Sequence, residues 1–140
     1  MSRSTKTVIN LMYTSRLVEI AASSILKPFD LTIQQYNVLR ILRGQKGKPA
    51  NLGTIQERMI DRSSNTSRLV DKLIVKGLVE RSRCPANRRK VEILITGQGL
   101  EVLESLDDLT EENNKEILKG LKDEELEMLN EFLNCIHKED

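Results

Sequence analysis

The stretch SSNTSRLVDKLIVKGLVERS, residues 63–82, limits the possible folds of this chain more than any other segment. Four of its apolar residues recur at intervals of three and four positions: Leu69, Val70, Leu73 and Ile74. This spacing predicts a helix over residues 64–76 that buries one stripe and exposes the opposite face. Gly77 can adopt the left-handed conformation that ends a helix. The helix therefore requires a core on one side and leaves the other side available for a partner.

The exposed face of this predicted helix is polar and basic. It carries short hydrogen-bonding side chains near the N-terminus and positive charges one and two turns later: Ser64, Asn65, Ser67, Arg68 and Lys72. A shorter helix is predicted before it, over residues 53–60, with Asn51 as N-cap and a polar turn, DRSS, behind it. This order predicts a helix-turn-helix, whose second helix reads base edges in the major groove of DNA. An ordinary amphipathic surface helix would give the same pattern, so this segment alone leaves both interpretations open.

A predicted β-hairpin follows directly. Residues 78–82 form one strand, and residues 90–95, in which side chains alternate with a period of two, form the returning strand. The loop between them, SRCPANRRK, holds five Arg, Lys or Asn residues and no acidic residue. Its basic side chains would contact a minor groove or the flanking phosphates: Arg88, Arg89 and Lys90. A merely solvated loop is the alternative, but a hairpin contiguous with the helix-turn-helix favours a DNA-binding wing.

The charges are strongly segregated along the chain, although the formal net charge is only +1. Residues 31–95 hold fourteen Lys and Arg against five Asp and Glu, whereas residues 96–140 hold four against fourteen. A basic segment of this kind suits a polyanionic partner, and the acidic segment suits solvent or a protein partner. The basic segment is the one that contains the predicted helix-turn-helix and wing.

The rest of the chain is predicted to be helical. A first helix spans residues 5–27 and stops at Pro28, which cannot continue it. Thr32 and Gln35 have the form of a capping box and begin the next helix. Thr96 caps a long helix, and a last helix follows it from residue 123.

We therefore expect residues 1–140 to form one domain of mainly α fold class with a small β-hairpin wing. A winged helix-turn-helix core over about residues 30–96 would be flanked by helices over about residues 5–27 and 97–138.

Composition and residue spacing exclude several classes of protein. The chain is 39% hydrophobic and 31% charged, as expected of a folded globular domain. No apolar run approaches the roughly 18 residues of a membrane span, so we expect a cytoplasmic protein without membrane contact. Cys84 and Cys135 have neither disulfide nor metal-ligand spacing, and the sole histidine, His137, has no catalytic partner. We therefore expect no metal, no cofactor and no enzymatic activity.

Residues 66–99, TSRLVDKLIVKGLVERSRCPANRRKVEILITGQG, resemble the core of the MarR family of winged helix-turn-helix regulators (multiple antibiotic resistance regulators). The family motifs are a KGL/W-V-E-R segment, an Asp-Arg-Arg-like wing tip and a strand that ends in LT-x-x-G. This chain matches them at residues 76–81, 87–89 and 95–99. The resemblance implies that the five polar residues of the predicted helix face the major groove and that Arg88 and Arg89 are the wing arginines. Cys84 and Asn87 replace residues that are often acidic in the family, which predicts a more mobile wing.

The resemblance also implies a homodimer in which the first and last helices of two chains interleave. Apolar residues of the last helix follow a 3-4-3 spacing that fits such an interface: Leu126, Leu129, Leu133 and Ile136. Packing on the chain's own first helix would also bury them. A two-fold dimer would bind a palindromic operator on double-stranded DNA with half-sites about 34 Å apart, most simply as a repressor. The competing interpretation is a helical adaptor that has lost DNA binding.

Family members often release DNA when a small aromatic or phenolic effector binds or when a cysteine is oxidised. Tyr13 and Tyr36 could line an effector pocket, although two tyrosines among leucines also suit a core. The arginines around Cys84 would favour a thiolate and hence redox sensitivity, whereas an inert surface thiol is the alternative.

Overall fold

The computed structural model describes residues 1–137, and of Arg88 it describes the backbone only. Six α-helices and one β-hairpin follow one another along this part of the chain: α1 (Arg3–Leu26), α2 (Ile33–Gly44), α3 (Leu52–Arg58), α4 (Thr66–Val75), β1 (Val79–Cys84), β2 (Asn87–Ile95), α5 (Gly97–Ile117) and α6 (Asp123–His137). A short 3-10 turn, Lys27–Phe29, connects α1 to α2. The predicted fold class, mainly helical with a β-hairpin wing, is confirmed.

The corner between α1 and α2 is tightly organised. Pro28 lies in the 3-10 turn that ends α1, and the next residue beyond that turn, Asp30, has left-handed φ and ψ angles of 55° and 44°. The predicted capping box then begins α2: the Gln35 amide donates to Thr32 Oγ1, and the Thr32 amide donates to Gln35 Oε1, each at 3.1 Å. Both bonds satisfy backbone donors that the first turn of a helix leaves unpaired.

The core is formed by residues of α1 to α5 and of the hairpin. Its fully enclosed side chains are aliphatic, as the scarcity of aromatic residues requires: Val38, Leu39, Ile55, Val70, Leu73, Ile93, Leu103 and Leu106. The predicted stripe of α4 faces this core, with Val70 and Leu73 buried and Leu69 and Ile74 half-buried. Each fully buried aliphatic side chain contributes about 1.5–3 kcal/mol, so this stripe keeps the opposite, polar face of α4 exposed to solvent.

The hairpin is longer than the sequence pattern predicts. β1 and β2 pair antiparallel from Val79 opposite Ile95 to Arg83 opposite Val91, with an irregularity before Cys84 opposite Asn87. Pro85 and Ala86 alone separate the strands, so the expectation of a loop over residues 82–90 is wrong. Most of the hairpin tip is exposed to solvent on both faces. After the irregularity, the pairing resumes at Cys84 opposite Asn87 without the apolar alternation that reveals a strand in sequence.

Apolar side chains cover the outer faces of α1 and α6. Leu26 is the one buried residue of α1, and α6 has none within the described range. The exposed side chains include Ile9, Met12, Leu17, Met128, Phe132 and Ile136. None of the described helices is both long enough and apolar enough to cross a lipid bilayer.

Candidate nucleic-acid interface

The turn between α3 and α4 is held by side chains from both sides. Gln56 on α3 donates to the Arg62 carbonyl at 2.5 Å, and its side-chain oxygen accepts a hydrogen bond from the Thr66 hydroxyl. Within the turn, Asp61 Oδ1 accepts from the Ser63 hydroxyl at 2.5 Å and from the Ser63 amide at 3.0 Å. These two bonds, led by the hydroxyl, lower the pKa of the Asp61 carboxyl. The N-terminal end of α4 is therefore fixed relative to α3.

Helix α4 begins two residues later than predicted, at Thr66 instead of Ser64. Asn65 is the N-cap, and its Oδ1 accepts from the Arg68 amide at 3.1 Å. Because Asn65 is the N-cap, Ser64 precedes the helix. Ser64 lies in the turn, and its hydroxyl oxygen is shielded from solvent without a hydrogen-bond partner in the described structure. Of the five predicted residues, Ser67, Arg68 and Lys72 are thus exposed on α4, and Asn65 is exposed at its start.

The exposed face of α4 carries positive charge that is available to a ligand. Among residues 1–137, no ion pair engages the side chain of Arg68 or Lys72. Ser67 lies one residue before Arg68 on the same exposed face. A guanidinium group near the N-terminus of such a helix can donate two hydrogen bonds to a guanine edge, and a lysine can contact a phosphate or a base.

The wing brings more basic residues to the same domain. Arg89 and Lys90 are exposed on β2, whereas the side chain of Arg88 lies outside the described structure. Asn87 Oδ1 accepts from the Arg89 backbone amide at 3.1 Å, so Asn87 orders the backbone of the tip. The asparagine accepts a neutral hydrogen bond here, whereas an acidic residue would accept a charge-assisted one. The greater mobility of the wing stays a prediction.

An ion pair that the sequence patterns did not predict joins the wing to α4. Arg81 on β1 contacts Asp71 on α4 with 2.7 Å between Nη2 and Oδ1. It connects the hairpin to the helix beside the exposed residues Arg68 and Lys72. Asp71 is the one acidic residue within α4, which is the signal that could have revealed the pair.

The remaining predicted residues lie apart from α4. Tyr13 is 67% exposed on α1, whereas Tyr36 is half-buried against the core with the Arg40 guanidinium 5.9 Å from its ring centre. A groove of about 820 Å³ lies between the α1–α2 corner and α4, and neither tyrosine lines it. Cys84 is half-buried at the end of β1. No cluster of three His, Cys, Asp or Glu side chains within the described chain could hold a metal ion.

Comparisons with known proteins agree with this arrangement. The sequence profile of the MarR family matches residues 31–91. The transcriptional repressor IacR of Pseudomonas putida is 28% identical over 112 residues, which cover 80% of this chain and 66% of IacR. This chain therefore spans slightly less than two thirds of the length of that relative.

Solved structures extend the match to nearly the whole chain. A MarR transcription factor from Planctomyces limnophilus is 30% identical with a TM-score of 0.74, covering 96% of this chain and 98% of that one. BpsR of Bordetella bronchiseptica, whose DNA binding is regulated by 6-hydroxynicotinic acid, is 22% identical with a TM-score of 0.86, covering 100% and 99%. IacR and the Planctomyces limnophilus protein are transcriptional regulators and not enzymes. The chain belongs to the MarR family and is a MarR-family transcriptional regulator.

Proposed function

We propose that the protein is a sequence-specific DNA-binding repressor that acts as a homodimer on a palindromic operator. The observation that carries this proposal is the exposed face of α4, where Arg68 and Lys72 have no ion-pair partner in the described chain and the basic wing is anchored alongside. The name of IacR supports repression, and the regulation of BpsR supports DNA binding. We also propose a cytoplasmic location, because a repressor must reach the chromosome.

The proposed contacts divide into base reading and backbone positioning. Arg68 would read a guanine through two parallel hydrogen bonds, a contact that discriminates between bases by about 1–3 kcal/mol. The other members of the proposed α4 set are Ser64, Asn65, Ser67 and Lys72. Arg88, Arg89 and Lys90 would follow the minor groove or its phosphates, which adds affinity but little sequence information.

The dimer would form through the helices at both ends of the chain. Many apolar side chains of α1 and α6 are exposed, whereas such residues lie singly on the surface of a typical monomer, and contiguous apolar faces mark interaction surfaces. The proposed dimerisation segments are residues 5–27 and 97–138, of which residue 138 lies outside the described structure. The core over about residues 30–96 includes Leu31 and Val38, and Leu103 and Leu106 of α5 also enclose it.

An effector would release the operator. The ligand of BpsR, an aromatic acid, supports a small aromatic or phenolic effector here. Tyr13 on the outer face of α1 and Tyr36 beside Arg40 are the proposed pocket residues, and Tyr13 would be enclosed by the second chain of a dimer. Oxidation of Cys84 is the second proposed signal, because the thiol sits at the tip of the wing.

The alternative function is a helical adaptor without DNA binding. The acidic segment favours it, because residues 96–140 hold fourteen acidic and four basic residues. Salt dependence separates the two functions. Contacts with phosphates release counterions and make affinity fall steeply with salt, whereas a helical protein interface responds weakly.

Selection of DNA sequences from a random library at two salt concentrations tests the proposal. We expect a palindrome whose affinity falls steeply with salt. Arg68→Ala should cost about 1–3 kcal/mol and relax the preference at one base of each half-site. Arg3→Ala on α1 is the matched control, and it should leave the selected sequence unchanged. An Arg68→Ala protein with the wild-type sequence preference would refute the assignment of α4 as the reading helix.

A further inference from the structure

The C-terminal end of α4 is tied to the α1–α2 corner by a lysine. Lys76, the C-cap residue of α4, extends its ammonium group to the Asp30 backbone carbonyl and to Gln35 Oε1, the latter at 3.2 Å. The Asp30 carboxylate lies 3.5 Å from the same ammonium. We call Lys76, Asp30 and Gln35 the Lys76 latch.

Two of the three acceptors are held in place by features that do not involve the lysine. Asp30 presents its carbonyl from a left-handed backbone conformation at the end of the 3-10 turn. Gln35 is 4% exposed, and its Oε1 also accepts the Thr32 amide of the capping box. The Asp30 carboxylate is 96% exposed, so its ion pair contributes little by comparison. The backbone carbonyl and the buried amide oxygen therefore provide most of the binding.

The latch complements the apolar packing of α4. Apolar burial has no preferred direction, so the stripe of α4 on its own permits small rotations of the helix. Hydrogen bonds are directional and restrict such rotations. The N-terminal end of α4 is fixed by the Thr66 and Gln56 side chains, and the latch fixes the opposite end. Its acceptors lie at the α1–α2 corner, where Asp30 follows the 3-10 turn and Gln35 lies in the first turn of α2. Through this corner the latch connects α4 to α1, which carries the apolar face of the proposed dimer.

We propose that the Lys76 latch sets the angle between α4 and α1 and thereby determines the operator half-site spacing that the dimer accepts. The part concerning operator spacing rests on the proposed function. One additional base pair between half-sites moves one of them by about 3.4 Å and rotates it by about 35°. A dimer with rigidly held reading helices accepts one spacing, whereas a dimer with pivoting helices accepts several. Lys76 is thus a positioning residue, and it reads no base.

The first measurement is a distance within one chain and requires neither DNA nor a dimer. Spin labels are attached to cysteines introduced at Arg16 on α1 and Ser67 on α4, in a Cys84→Ser, Cys135→Ser background. Dilution with unlabelled protein leaves only distances within a chain. Lys76→Met keeps the apolar stem and removes the hydrogen bonds, so we expect a distance distribution about twice as wide as that of the unsubstituted lysine. Lys76→Arg restores donors and should restore the narrow distribution.

The second measurement uses operators that differ by one base pair in half-site spacing. We expect the wild type to prefer its best spacing about tenfold, and Lys76→Met to reduce this preference to about threefold. Lys48→Met, which removes an exposed loop lysine, is the matched control and should behave as the wild type. Thermal unfolding verifies that each variant is folded.

The two measurements separate the latch from the proposed function. A folded Lys76→Met protein with the wild-type distance distribution would overturn the latch, whatever its DNA binding. A wider distribution with unchanged spacing preference would overturn the link to spacing. A wild type that selects no palindrome would overturn the proposed function, while the distance measurement would still support or refute the latch.

Discussion

Replacing Gly99 with alanine is expected to destabilise the protein more than any other single methyl addition in α5. Gly99 lies in the first turn of α5, and its amide donates to Thr96 Oγ1 at 3.1 Å. A Cβ at this position would lie 2.3 Å from the Leu78 carbonyl oxygen and 2.7 Å from Ile95 Cγ1. The first of these atoms belongs to the backbone, and it already accepts the Thr96 amide at 3.0 Å. The hairpin and α5 must therefore move apart to accommodate a methyl group.

The size of the effect follows from two opposing terms. Overpacking a filled site costs about 1–3 kcal/mol and occasionally more. Alanine is favoured over glycine inside a helix by about 1 kcal/mol, which offsets part of that cost. Because the clash involves backbone and lies well inside contact distance, we expect the upper end of the range, with a net loss of about 2 kcal/mol. For a chain of this length that is a fall in the melting temperature of about 4–8 °C.

Gly97, two residues earlier in α5, provides the matched control. A Cβ there would meet no atom within 4 Å, so Gly97→Ala should be neutral or stabilising by up to about 1 kcal/mol. The assay is chemical unfolding of both variants followed by far-ultraviolet circular dichroism. Equal stability of Gly99→Ala and Gly97→Ala would refute the close packing of α5 against the hairpin. We also expect Gly99→Ala to weaken operator binding, because it displaces the wing.

The other predictions concern the wing, the start of α5 and the turn before α4. Arg81→Ala should weaken operator binding about threefold to tenfold in a gel-shift assay, because it removes the ion pair that holds the wing to Asp71. If the pair acts as a unit, the loss of affinity in Arg81→Ala should not exceed the loss in Asp71→Ala. Thr96→Val should cost about 1–2 kcal/mol in urea unfolding, because Thr96 Oγ1 both caps α5 and donates to the Gly77 carbonyl at 2.7 Å, whereas Thr96→Ser should retain most stability. The Ser63 hydrogen bonds hold the pKa of Asp61 below its ordinary value of 3.8 in the folded chain. Their contribution to the stability of the folded chain is therefore complete above pH 3.8 and is lost as the pH falls through the folded pKa. A carboxyl NMR titration measures this pKa, which should return towards 3.8 in Ser63→Ala; an unchanged value there would contradict the assignment to Ser63.

Local patterns in the sequence were sufficient for most of the helices. The capping box of Thr32 and Gln35, the Thr96 cap and the apolar stripe of α4 all depend on residues within one or two turns of one another. Their geometry is the geometry of the helix itself, so a single sequence reveals it. The start of α4 was misplaced by two residues because Ser64 and Asn65 both suit an N-cap, and the choice depends on the turn before them.

The hairpin shows where local patterns end. Its inner part, where Val79 pairs with Ile95, was predicted from the sequence, in which Val91, Ile93 and Ile95 recur with a period of two. Its tip has polar residues on both faces, and nothing in a local pattern distinguishes such a strand from a loop. The missed ion pairs have the same origin. Arg81 and Asp71 lie ten residues apart in different elements, and Arg43 and Asp107, whose side chains meet at 2.9 Å, lie 64 residues apart.

By itself, the sequence determined that this chain would contain a helix-turn-helix, a basic hairpin and flanking amphipathic helices, because each of these depends on periodicity and caps within a few residues. Only the tertiary structure decided how α4 is oriented. The Lys76 latch joins residues 41 and 46 positions apart, and Gly99 is required because the Leu78 carbonyl approaches it from another element. Contacts of this kind form when helices that are distant along the chain pack into one core, and their partners leave no periodic trace in the sequence.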